Sequence, residues 1–112
     1  LGQATITGGG GQNYVVADDN SQFISLGADD DTLIGGGGAD TIASAGGNDV
    51  LYGNQGNDVV SGGADNDTLF GGQDSDTLFG NTDSDILYGN RAADTMYGGQ
   101  DGDALFSFCS IP

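Results

Sequence analysis

Aspartate recurs at a fixed interval of nine residues over most of the chain: Asp31, Asp40, Asp49, Asp58, Asp67, Asp76, Asp85, Asp94 and Asp103. No member of the series is missing. Two residues before them stand Gly38, Gly47 and Gly56, or a second aspartate at Asp29, Asp65, Asp74, Asp83 and Asp101; Ala92 is the exception. Paired carboxylates at one place can act as general acid and base, as in glycoside hydrolysis, and Asp83 with Asp85 has the residue types for it. An active site is unique, however, and this series repeats. A repeated column of short carboxylates suits an array that binds hard cations through oxygen. Histidine and lysine are absent, and the single cysteine, Cys109, has no base to activate it. The chain is therefore expected not to be an enzyme.

The charge balance narrows the partners. The 112 residues hold 17 acidic side chains, all aspartate, and one basic side chain, Arg91, for a formal net charge of −16. Nucleic acid requires a basic face, which is missing. An anionic membrane surface would repel the chain, and no apolar run approaches the roughly 18 residues of a membrane span. No nucleic-acid contact and no membrane insertion are expected. An EF-hand is excluded because its loop ends in glutamate. Acidic chains are often disordered, but disorder requires no nine-residue register.

The elements that place the aspartates follow the same period. Two residues after each one is an aliphatic side chain: Leu33, Ile42, Leu51, Val60, Leu69, Leu78, Leu87, Met96 and Leu105. This apolar phase runs further back, to Ile24, Val15 and Ile6. Five and four residues before the aspartate come pairs such as Gly35-Gly36, Gly53-Asn54, Gly62-Gly63 and Gly71-Gly72, with Ser44-Ala45 as the odd pair. Glycine and asparagine tolerate positive φ, so each repeat carries a tight turn. The Thr, Val, Leu, Ile, Tyr and Phe that follow read as a short strand with alternating faces. Nothing repeats at helical spacing. A nine-residue unit cannot bury its own apolar residue, but stacked units can, which is the logic of a solenoid.

Segments such as Gly53-Asn54-Gln55-Gly56-Asn57-Asp58-Val59-Val60-Ser61 fit the pattern G-G-x-G-x-D-x-U-x. Over residues 27–107 the chain resembles the RTX, or hemolysin-type, calcium-binding nonapeptide repeat. The resemblance implies an all-β fold, a right-handed parallel β-roll with 18 residues per coil and two short-stranded parallel sheets. It implies Ca2+ ions between turns one coil apart, held by the nine phase aspartates and by turn carbonyls. The carbonyl positions are Gly36, Gly38, Gly47, Gly56, Gly63, Gly72 and Gly99, and also Asp65, Asp74, Asp83 and Asp101. Whether the carboxylates of that second aspartate set are ligands or face solvent stays open. A period of 18 sorts the loops onto two edges. The first carries Asp31, Asp49, Asp67, Asp85 and Asp103; the second carries Asp40, Asp58, Asp76 and Asp94. Sites between adjacent loops then number at most seven.

Three segments are expected. Residues 1–26 form an N-terminal coil that keeps the packing phase without aspartate ligands. Residues 27–107 form the calcium-binding roll. Residues 108–112 form an apolar tail, in which Cys109 is buried or incidental. The core is thin and the uncompensated aspartates repel one another, so the roll is expected to fold only with metal. Extracellular calcium fills such sites and cytosolic calcium does not. The function expected is a calcium-dependent structural module of a secreted or cell-surface protein. The alternative is a self-assembling subunit of an extracellular filament or surface layer. A homo-oligomeric or lateral protein contact would then use the outward row Ile34, Tyr52, Phe70, Tyr88 and Phe106, which otherwise serves as cross-strand pairing.

Overall fold

A computed structural model describes residues 4–107 as twelve short strands. They are β1 (Ala4–Thr7), β2 (Tyr14–Val16), β3 (Gln22–Ser25), β4 (Thr32–Ile34), β5 (Thr41–Ala43) and β6 (Val50–Asn54), followed by β7 (Val59–Gly63), β8 (Thr68–Gly72), β9 (Thr77–Asn81), β10 (Ile86–Asn90), β11 (Thr95–Gly99) and β12 (Ala104–Ser107). Odd strands form one six-stranded sheet in the order β1-β3-β5-β7-β9-β11. Even strands form the other, from β2 to β12. Every strand pairing is parallel and, apart from a register shift that sets Asn90 against Ser107, joins residues 18 places apart, as in Leu33 with Leu51, Leu51 with Leu69 and Leu69 with Leu87. The fold is thus the all-β solenoid with two parallel sheets that a β-roll describes.

The side-chain period of two explains the packing. Each phase aspartate and the aliphatic residue two places on share the inner face of a strand. Leu33, Ile42, Leu51, Val60, Leu69, Leu78 and Leu87 are fully buried between the sheets. Ile6, Val15 and Met96 are only partly covered and Leu105 is 44% exposed. A coil at an end of the stack has a neighbour on one side only. Leu26 lies outside the nine-residue phase yet joins the core.

The turns stack as tightly as the strands. Gly36, Gly38, Gly47, Gly56, Gly63, Gly72 and Gly99 all have φ between +82° and +102°. At Gly56 and Gly99 a Cβ would overlap the carbonyl of Gly38 or Asn81 in the coil before, so glycine is required there for space as well as for φ. Asn54, Asn81 and Asn90 take the left-handed conformation where glycine is absent, as do Asp65, Asp74, Asp83 and Asp101. Asparagine and aspartate tolerate that region better than other side chains. Ala92 adopts it too, at φ 76°, with no such tolerance.

On the outer face of the even-numbered sheet, Tyr52, Phe70, Tyr88 and Phe106 stack ring on ring, with centroids 4.6, 4.8 and 5.0 Å apart. Phe79 and Tyr97 do the same on the other sheet at 5.0 Å. Among the described residues no helix is long and apolar enough to cross a membrane. The expectations for Phe108, Cys109, Ile111 and the rest of the tail lie outside the described residues.

Candidate metal-binding edges

The phase aspartates point inward. Asp31, Asp40, Asp49, Asp58, Asp67 and Asp85 are 1% exposed and Asp76 is 2% exposed. Asp94 and Asp103, nearer the end of the stack, are partly exposed. Carboxylates this buried are rare unless something compensates them.

Half of each carboxylate is compensated by the neighbouring coil. Oδ1 accepts the backbone N–H of the residue 18 places earlier, in nine bonds of 2.7–2.9 Å. On one edge the bonds run Asn13 to Asp31, Asp31 to Asp49, Asp49 to Asp67, Asp67 to Asp85 and Asp85 to Asp103. On the other they run Gln22 to Asp40, Asp40 to Asp58, Asp58 to Asp76 and Asp76 to Asp94. The donor is a strand-entry amide that the sheet ladder leaves free.

The other oxygen is not compensated in this way. Oδ2 of Asp31, Asp40, Asp58, Asp67, Asp76, Asp85 and Asp94 is buried with no hydrogen-bond partner in the protein. In the loops that have glycine five residues before the aspartate, Oδ2 faces that glycine. A Cβ on Gly53 would stand 2.5 Å from Asp58 Oδ2 and 2.8 Å from the Gly71 carbonyl of the next coil. At Gly35 the corresponding atoms are Asp40 Oδ2 and the Gly53 carbonyl, both at 2.9 Å. A carboxylate oxygen and a carbonyl oxygen therefore converge on a face that only glycine leaves open.

Burial without a counter-charge shows in the proton affinities. Desolvation pushes Asp40 up to about 6, Asp67 and Asp76 to about 7 and Asp58 to about 8, from an ordinary 3.8. The amide bond to Oδ1 pulls each back, and nearby aspartates push up again, as Asp76 and Asp40 do to Asp58 and Asp18 does to Asp40. The arrangement is unfavourable for anions alone and favourable once a cation joins. No three side chains of the metal-binding types gather at one point among the described residues. An ion here must take part of its shell from backbone carbonyls. All-oxygen donors of this kind suit Ca2+, which takes six to eight oxygens at roughly 2.3–2.6 Å. The residues present fit the ion.

The second aspartate set serves another purpose in the structure. Asp29, Asp65, Asp74 and Asp83 are exposed, and their Oδ2 atoms accept the amides of Gly11, Gly47, Gly56 and Asp65 one coil earlier, at 2.8–3.1 Å. Asp101 is exposed as well. A third column went unnoticed in the sequence. Just before the phase aspartates, Asp30, Asn48, Asn57 and Asn66 accept the amides of Asn48, Asn66, Ser75 and Ser84 of the following coil, at 2.7–2.9 Å. The recurrence of Asp, Asn and Ser at that place was the available signal.

Three overlapping stretches, residues 18–51, 44–78 and 70–105, match the family model of the RTX calcium-binding nonapeptide repeat (4 copies). No curated protein and no solved structure matches the chain significantly. The matched stretches run through nearly all of the two aspartate ladders, and they make this chain a member of the RTX calcium-binding nonapeptide-repeat family.

Proposed function

We propose that the chain is a calcium-dependent structural module of an extracellular protein, folding as it takes up several Ca2+ ions between stacked turns. The observation that carries this reading is the double column of buried Oδ2 atoms without protein partners. In each of these turns one carboxylate oxygen holds the neighbouring coil and the other is left for an ion. The phase aspartates whose Oδ2 is free would supply the charged oxygens. The left-handed turn residues, including Gly36, Gly38, Gly47, Gly56, Gly63, Gly72 and Gly99, would turn backbone carbonyls to the ion. Sites between adjacent loops number at most seven.

Each bound ion cancels two units of a net charge of −16. Without ions the aspartates of adjacent coils repel across the roughly 4.8 Å strand spacing. Folding and binding are then one reaction, as in other small metal-dependent domains. Such coupling suits a module that works where calcium is plentiful, outside the cell. Far-ultraviolet circular dichroism through a calcium titration tests the proposal. The β signal should appear only as calcium is added, and full β signal in calcium-free buffer would refute it.

A second reading is favoured by the outer aromatic row. On the even-numbered sheet Phe106 is 52% exposed, and Tyr14 and Val16 at its other end are 70% and 60% exposed. Apolar surface of this kind on a sheet suits lateral contact with a partner or a second copy. Light scattering with calcium bound separates the readings. A monomer at high concentration counts against assembly, and calcium-dependent growth supports it.

A further inference from the structure

Ser44 breaks the rule of the turns. It stands five residues before Asp49, where glycine precedes Asp40, Asp58, Asp67, Asp76, Asp85, Asp94 and Asp103. Its side chain covers the face that those glycines leave open, and it is 7% exposed. Ser44 Oγ donates a hydrogen bond to Asp49 Oδ2. Asp49 Oδ1 accepts the Asp31 amide at 2.7 Å, as elsewhere in the ladder. Both oxygens of Asp49 are therefore satisfied by the protein. Among the buried phase aspartates, Asp49 alone has this property.

We infer that Ser44 closes its turn to calcium, its hydroxyl taking the place beside Asp49 that an ion takes in the neighbouring turns. The inference rests on the calcium reading above and limits it. A hydroxyl supplies one donor and no charge, so it satisfies the oxygen without drawing in the carbonyls that a dication gathers. The oxygen is satisfied there by a hydrogen bond within its own turn. Asp31 Oδ2, in the preceding turn on the same edge, is buried without a protein partner and stays open to an ion. One of the seven sites between adjacent loops is lost, and six remain.

The test is the number of calcium ions bound at saturation, counted by native mass spectrometry and by equilibrium dialysis with radiolabelled calcium. The parent chain should bind no more than six. Asp49→Asn should leave the parent count unchanged. Ser44→Gly should bind one ion more than the parent, and adding Asp49→Asn to it should return the count to the parent value. Seven ions on the parent would overturn the inference. So would a count that falls by one in Asp49→Asn, or an unchanged or lower count in Ser44→Gly, which would make the hydroxyl irrelevant or itself a ligand. These outcomes leave the calcium reading intact. A parent chain that binds no calcium would overturn both.

Discussion

Asp67 Oδ1 accepts the backbone amide of Asp49 at 2.9 Å, while Asp67 Oδ2 lies buried beside Gly62 with no protein partner. One carboxylate thus joins two coils with one oxygen and holds the other in reserve. The same division recurs down both edges except at Asp49, whose second oxygen Ser44 takes, and it separates what the side chain does for the backbone from what its charge does. Asparagine keeps the first role and loses the second.

Asp58→Asn exploits that separation. Asp58 has its pKa pushed up furthest, to about 8, by burial. An amide in its place preserves the bond to the Asp40 amide and removes a buried charge. At pH 8 the calcium-free chain should become more ordered, and the calcium midpoint of folding should rise by roughly tenfold, or about 1.4 kcal/mol. Circular dichroism with and without calcium reads both. Shifts of the same sign in the two conditions would contradict the account.

The pH dependence of the calcium-free chain has a definite sign. Asp40, Asp67, Asp76 and Asp58 have folded-state values of about 6, 7, 7 and 8, all above the ordinary 3.8. Between those limits the folded chain holds protons that the unfolded chain has released. Stability therefore falls as pH rises from about 4 to about 8 and is level on either side. Acidification in calcium-free buffer should restore β signal. Calcium binding near pH 7 should release protons, measurable in weakly buffered solution. A calcium-free β signal that grows with pH would contradict the sign.

Two single-methyl changes should act in opposite directions. Gly53→Ala places a Cβ 2.5 Å from Asp58 Oδ2 and 2.8 Å from the Gly71 carbonyl. Thermal melting at saturating calcium should show a loss of about 1–3 kcal/mol, with weaker calcium binding. Ala92→Gly relieves a left-handed alanine at φ 76° and should gain about 1 kcal/mol. Equal effects at the two positions would mean that turn geometry does not govern the roll.

The fold was legible because its packing follows by translation. Once Leu33, Leu51, Leu69 and Leu87 are seen 18 residues apart, their parallel pairing in one sheet is determined. The left-handed positions were legible too, since glycine, asparagine and aspartate alternate at them. The roles of individual oxygens were not. Oδ1 and Oδ2 of Asp67 differ only through what the coils on either side present, and local sequence does not show that. Ser44 looked like an irregular turn residue; its importance lies in where its hydroxyl lands. Leu26 stood outside the apolar phase and became core because the N-terminal loop has no glycine at that place.

The most direct test of the central claim compares three aspartates of different standing. Asp67 is buried in the interior of its ladder, Asp103 lies near the end of the stack and Asp19 is exposed and outside the phase. The calcium midpoint of folding is measured for Asp67→Ala, Asp103→Ala and Asp19→Ala. Repeat stability is largely nearest-neighbour coupling, so the Asp67 variant should need markedly more calcium to fold. The Asp103 variant should fray only the last coil, and the Asp19 variant should match the parent. Equal midpoints for the Asp67 and Asp19 variants would contradict a roll held together by calcium on its buried aspartates.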